Sequence, residues 1–354
     1  MRRRYPFNQQ QSWDSYENGQ KVKEVKLDDT DRGLLNLLQA NFPLSREPFV
    51  DLGSSLGLEE KEVIQRITRL KEARIIRSIG PVFDSRSLGY KSTLVAMRVP
   101  EERLEEAAQM VNEHPGVSHN YGRAGALNLW FTLAVPPGND LKSELQALAN
   151  KVCPEQVLDL PAVRHFKIGL FFDMAESGPQ VNFSNNSPKK TKGALQALST
   201  LSSSEKAAIS EIQQDIPLLS RPFDAMAEHV GMEVSEFLRC CRRLKERGVM
   251  RRFGASIRHQ NVGFAANAMV CWRVPPSIVE EVGEMMSAFR EVSHCYERKT
   301  NQSWPYNVFT MIHGKTKEGL QRTIERIAAQ SGIQEYEALF TIKEFKKERV
   351  KFSA

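Results

Sequence analysis

The chain has 354 residues, 41% of them hydrophobic, which is apolar mass enough for roughly two to four domains. Its formal charge of +6 suits an anionic small molecule or a nucleic acid equally, so charge alone does not choose a partner. No apolar run approaches the roughly 20 residues that span a bilayer, and the five cysteines show no metal-finger spacing, so no membrane association and a cytoplasmic protein with reduced thiols are expected.

Residues 1–26 are rich in Gln, Asn, Ser and Lys, and no apolar segment follows Arg2, Arg3 and Arg4. They read as a flexible N-terminal arm rather than a secretory signal. From Leu27 the period becomes helical. Thr30 or Asp31 can cap a helix with the stripe Leu34, Leu35, Leu37 and Leu38, which Pro43 ends. A short helix over Phe49 to Leu56, a turn at Gly57 and a third helix through Val63, Ile64, Ile67 and Leu70 complete a helix-turn-helix, and Ile75 to Val82 reads as a β-wing. This first unit spans 27–80.

Over 81–175 strands and helices alternate. Ser92 to Val99, Val117 to Tyr121, Trp130 to Val135 and Arg164 to Phe172 are expected strands, with helices over Glu101 to Asn112 and Asp140 to Lys151. The order β-α-β-β-α-β is ferredoxin-like. Residues 176–193 lack periodicity and read as a linker.

After the linker everything repeats. An offset of 174 relates Leu201 to Leu27, Pro217 to Pro43, Gly231 to Gly57 and Gly254 to Gly80, and one inserted residue makes it 175 for His294 to His119, Tyr296 to Tyr121 and Arg298 to Arg123. A second helix-turn-helix is therefore expected over 194–254 and a second ferredoxin-like domain over 255–354. The chain is α+β, a tandem repeat of winged helix-turn-helix plus ferredoxin-like domain, and a fused pseudo-dimer. Association of such fused chains with one another stays open.

The richest chemistry lies in Glu291 to Gly314, EVSHCYERKTNQSWPYNVFTMIHG, which contains His294, Tyr296, Arg298, Trp304, Tyr306 and His313. On adjacent antiparallel strands these residues can share one face, where imidazole, phenol and guanidinium converge on a ligand. The first half carries a plainer copy with the same V-S-H-x-Y-x-R, which supplies His119, Tyr121 and Arg123. It is expected to hold Ser85 where the second half has His259, and Val135 where it has His313. Ordinary sheet packing competes with function for each of these residues taken alone. His114 and His229 lack basic or aromatic company and read as structural, His165 is ambiguous, and Cys240 and Cys241 read as helix packing.

The architecture resembles the Lrp/AsnC regulators, and narrower stretches resemble siroheme decarboxylase: RRFGASIRHQNVGFAANAMVCWRVP, SHCYERK, YNVFTMIHG and, in the first half, NLWFTLAVP. That resemblance implies siroheme as substrate, with two ring acetates converted to methyl groups to give didecarboxysiroheme in haem or d-type haem synthesis. It implies no cofactor and no resident metal beyond the iron of the substrate itself. Losing carbon dioxide leaves a carbanion-like methylene that must gain a proton, so the site needs cations, an acid and an apolar wall. Arg251, Arg252, Arg258, Arg298 and Arg123 suit the non-reacting carboxylates. His294, His313 and His259, with Tyr296, suit proton transfer. Trp304, Tyr306 and His119 would line the bound ring, and one histidine could instead ligate the substrate iron. One principal site, in the second half, is expected.

Two other readings compete, a transcription regulator and a tetrapyrrole carrier without catalysis. Against DNA, the third helix of each unit opens with acidic residues, Glu59, Glu60 and Glu62 or Glu233 and Glu236, where phosphates would meet repulsion. An acidic first turn also complements the helix dipole, so the point is suggestive.

Overall fold

The computed structural model describes residues 16–17, 20–21, 26–169, 201–258 and 266–352. The expected linker and His259 lie outside these residues, as does nearly all of the expected N-terminal arm apart from a pairing of β1 (Tyr16–Glu17) with β2 (Gln20–Lys21).

The first helical unit consists of α1 (Asp29–Ala40), α2 (Pro48–Leu56) and α3 (Glu60–Glu72). Its cap is Asp28 rather than Thr30 or Asp31. Asp28 accepts from the Asp31 N–H while the Asp31 carboxylate accepts from the Asp28 N–H, a reciprocal box that starts the helix earlier. The second unit repeats this with α6 (Ser203–Ile212), α7 (Pro222–His229) and α8 (Val234–Glu246), and Ser202 and Glu205 form its box.

The two units share a single apolar core. Phe42 of the first packs edge-on against Phe223 and Phe253 of the second at 6.5 and 5.7 Å, beside its own Phe49 at 5.6 Å. The expected wing is a ribbon between halves: β3 (Ile76–Phe83) pairs antiparallel with β9 (Met250–Ile257), Gly80 opposite Gly254. Glycine is required at that point of near-symmetry, because a Cβ on Gly254 would lie 2.5 Å from the Leu38 carbonyl oxygen.

Below the ribbon lies a nine-stranded sheet. The first half supplies β4 (Lys91–Arg98), α4 (Leu104–Asn112), β5 (Val117–Arg123), β6 (Leu129–Val135), α5 (Leu141–Val152), β7 (Gln156–Leu160) and β8 (Ala162–Ile168). The second supplies β10 (Ala266–Trp272), α9 (Val279–Ala288), β11 (Val292–Arg298), β12 (Val308–Gly314), α10 (Lys317–Ser331) and β13 (Tyr336–Lys347). The order is β7-β4-β6-β5-β13-β10-β12-β11-β8. Only Pro161 separates β7 from β8, so the chain itself joins the two ends of the sheet.

Arg164 to Phe172 does not close the first sheet; Gln156–Leu160 does, pairing with β4, and Ala162–Ile168 crosses over to pair with β11. Pro161 has no N–H to donate to a ladder, which fits the change of partner at that residue. The last strand makes the same crossing without a break: β13 pairs with β10 through Tyr336 to Phe340 and with β5 from Thr341 onward. Each half packs its helices on the outer face of its own strands. Between the halves lies a separate core that includes Trp130, Leu158, Cys271, Trp304, Phe309 and Leu339.

Candidate active site

Strand alternation sorts the residues of β11. Val292 and Cys295 face the helices, while Arg298 stands 5.6 Å from the ring of Phe309 in the core between the halves. A bulge between Val292 and His294 re-aims the chain just before the histidine, and β5 carries the same bulge between Val117 and His119. The result is two matching rows. In the second half His294 stacks on Tyr296 at 6.0 Å and the Arg298 guanidinium lies 5.0 Å from the Tyr296 ring. In the first half His119 lies 6.3 Å from Tyr121 and Arg123 5.2 Å from the Tyr121 ring.

The rows lie close enough together that a proton on His294 would disfavour one on His119. Burial, Lys347, His294 and Arg77 push His119 down to about 3. Burial, Lys347, Lys167 and Arg298 push His294 down to about 4. Both imidazoles are therefore neutral at neutral pH. Burial raises both tyrosines, which remain phenols able to donate.

The arginines at the foot of the rows are unusual. Arg123 is 4% exposed and donates through Nη1 to Leu339 O and Thr341 Oγ1, both at 3.1 Å, while Arg298 donates through Nη1 to Leu160 O at 2.7 Å. Both Nε atoms are buried without a partner, and neither guanidinium makes an ion pair among the described residues. Burial lowers both to about 10, so both keep their charge. A buried cation without an acid is costly unless an anion completes it.

Around the second row stand further aromatic and charged groups. His165 meets Tyr296 edge-on at 5.0 Å, and Arg86 Nη2 approaches His165 Nε2 at 2.6 Å. Burial first, then Arg86, Arg251 and Arg298, pushes His165 down to about 3. Arg251 pairs with Asp84 at 2.8 Å. Behind His294 runs a short relay: Ser293 Oγ lies 2.9 Å from His294 Nδ1 and 2.8 Å from Nε2 of His313, which is 6% exposed. Ser118 instead joins His119 Nδ1 to Thr132 Oγ1, each at 2.9 Å.

The first-half counterpart of His313 is Ala134, not Val135. Ala134 N–H donates to Gly116 O as His313 N–H donates to Glu291 O. The offset has grown from 175 to 179 across the longer loop after Arg298, as Asn128 and Asn307 also show, and Val135 is one position too far.

The structure thus brings His294, Tyr296, Arg298, His313, Arg251, His119 and Arg123 toward one region. Arg252 is turned to the helical body, where Nη1 donates to Gln39 O at 2.6 Å. Arg258 ends the ribbon, its N–H donating to Ile75 O. Trp304 is 5% exposed and packs edge-on with Trp130 at 5.6 Å and Tyr306 at 5.0 Å, so it forms floor beneath the rows. Sequence reasoning missed Arg77, Arg86, Lys347, Ser293 and Glu344 and left His165 undecided. Two offsets could have found three of them: 174 pairs Arg251 with Arg77, and 179 pairs Glu344 with His165.

The fold is that of a duplicated helix-turn-helix protein with two sheet-bearing domains joined into one sheet. The AsnC-like ligand binding domain matches residues 87–167 and 261–346, and the siroheme decarboxylase NirDL-like HTH domain matches 31–77 and 205–251. Siroheme decarboxylase of Hydrogenobacter thermophilus is 39% identical over 320 residues, covering 90% of this chain and 93% of that one. The crystal structure of the siroheme decarboxylase NirDL superposes with a TM-score of 0.69 at 37% identity over 92% of this chain and 95% of that one. Its co-complex with an iron-uroporphyrin III analogue matches with a TM-score of 0.69 at 36% identity over the same shares. The chain belongs to the siroheme decarboxylase family.

Proposed function

We propose that this chain removes carbon dioxide from two acetate side chains of siroheme, yielding didecarboxysiroheme for haem or d-type haem synthesis. The observation that carries this reading is the pair of acid-free arginines with buried, unpartnered Nε atoms, Arg123 and Arg298, each at the foot of a His-Tyr row. A polycarboxylate supplies the missing anions, and the flat rings of the rows and the apolar core beneath suit a macrocycle.

In the reaction, the bond between the methylene and its carboxylate breaks, carbon dioxide leaves, and the electron pair delocalises into the macrocycle until a proton closes the methyl group. Arginines hold the non-reacting carboxylates. His294 supplies the proton, with Ser293 and His313 behind it to replace it. Burial, then Lys347, Lys167 and Arg298, hold His294 neutral. A bound polyanion reverses that field and favours protonation. A neutral imidazole also suits the substrate iron, and His119, which lacks the relay, is the better placed for ligation.

Two observations weigh against a DNA regulator. The helical units share one core, and their third helices spend polar groups within the chain: Glu60 accepts from Ser220 Oγ at 3.1 Å, and Arg242 donates to Leu44 O at 3.2 Å. All five cysteines are free thiols, which fits a cytoplasmic setting. Anaerobic incubation with siroheme tests the reading. An absorbance shift followed by loss of two carbon dioxide masses is expected; a shift without mass change would make the protein a carrier.

A further inference from the structure

The crossing strands place a residue directly beside each row histidine. Lys347 stands opposite His119 where β13 pairs with β5, and Ile168 stands opposite His294 where β8 pairs with β11. The two are related by the offset of 179, so a cation occupies one place and an aliphatic side chain the other. Residues directly opposed on antiparallel strands share a face. Lys346, one position earlier, points the other way, its Nζ donating to Asn112 O of α4 at 2.8 Å, which leaves Lys347 on the face of the rows.

The backbone at Lys347 is held on both sides. Arg77 Nη1 donates to Lys347 O, and the Glu348 N–H donates to Ser118 O at 2.7 Å. Further along, Arg349 Nη2 donates to Ser256 Oγ at 2.8 Å, the Phe352 N–H donates to Gln213 Oε1 at 2.6 Å, and Phe352 O accepts from Gln213 Nε2 at 2.9 Å. The segment after β13 therefore straps sheet, ribbon and helical body together at the point where Lys347 projects. The Lys347 ammonium lies 3.8 Å from Glu344 Oε2, with 21% of the side chain exposed, and Glu344 Oε1 engages Arg77 at 3.4 Å. Among charged neighbours, Lys347 acts most strongly on both His119 and His294, so one cation serves the histidine end of both rows. Arg123 and Arg298 stand at the other end, four strand residues or roughly 13 Å away. Cations at both ends match a macrocycle that carries carboxylates around its rim.

We propose that Lys347 is a further ligand-binding residue, whose ammonium takes one carboxylate of the single bound ligand at the His119 and His294 end of the rows while Arg123 and Arg298 take others at the far end. This rests on the reading that the ligand is an iron tetrapyrrole bearing several carboxylates. The test is an absorbance titration of the full chain with iron-uroporphyrin III, with the melting temperature of each ligand-free variant recorded alongside. Lys347→Met weakens binding by about tenfold or more, the effect of removing one charge-assisted contact. Lys347→Gln, which keeps a polar stem without the charge, weakens it similarly and answers the question should Lys347→Met fail to fold. Lys347→Arg, which keeps the charge, stays near wild type. Wild-type affinity in Lys347→Gln, or a loss in Lys347→Arg as large as in Lys347→Gln, overturns the proposal and leaves the tetrapyrrole reading standing; no binding by wild type overturns both.

Discussion

Histidine protonation ties the two rows to stability. His119 and His165 titrate near 3 and His294 near 4 in the folded chain, against about 6.5 unfolded. Folded values below unfolded ones mean the unfolded chain binds more protons between them, so stability falls as pH drops below about 6.5, by at most about 1.4 kcal/mol per pH unit for each histidine. The melting temperature should decline between pH 7 and 4.5, and less steeply in His165→Gln; parallel curves for the two proteins would show that His165 is not depressed. Ser293→Ala removes the link from His294 to His313 and is expected to lower the single-turnover rate by about tenfold or more, within the range of general acid-base effects, while leaving tetrapyrrole affinity near wild type. An unchanged rate would mean the relay carries no proton. At this scale the repeated V-S-H-x-Y-x-R was legible because both copies keep it at one offset. His165 was not, because its counterpart is a glutamate and its contact comes from a strand paired across the halves.

Among the elements, the longer loop between β11 and β12 distinguishes the halves. It carries Trp304 into the core between them, against Trp130 of the other half. Trp304→Ala should cost about 3–5 kcal/mol through the cavity it leaves, seen as a lower denaturant midpoint. A loss below 1 kcal/mol would show that the floor repacks freely. The inserted loop was visible in the sequence, but its aromatic looked like a ligand contact because burial cannot be read from one strand's alternation. The crossing strands were illegible for a related reason. Ala162–Ile168 alternates as a strand should, and nothing local says that its neighbour lies more than a hundred residues further along.

For the whole molecule, duplication yields one unequal pair rather than two independent regulators. Ion pairs such as Arg221 with Glu47 and Lys71 with Asp215 link the helical units to each other, and the β3–β9 ribbon joins the two halves beside the nine-stranded sheet. Duplex DNA should accordingly be retained only weakly and be released by moderate salt without a defined footprint. A footprint that survives physiological salt would restore the regulator. The pseudo-dimer was legible because its offset persists through both domain types, whereas the asymmetry of charge between the rows emerged only from which strands pair.

On this reading the second-half row carries out the decarboxylation of siroheme. It is tested most directly by anaerobic single-turnover mass spectrometry of siroheme with wild type, His294→Ala and Arg298→Ala, with circular dichroism confirming that each is folded. Wild type should shed two carbon dioxide masses, His294→Ala should bind with the mass unchanged, and Arg298→Ala should bind weakly and turn over little. Full conversion by His294→Ala, or an unchanged substrate mass with wild type, would contradict the account.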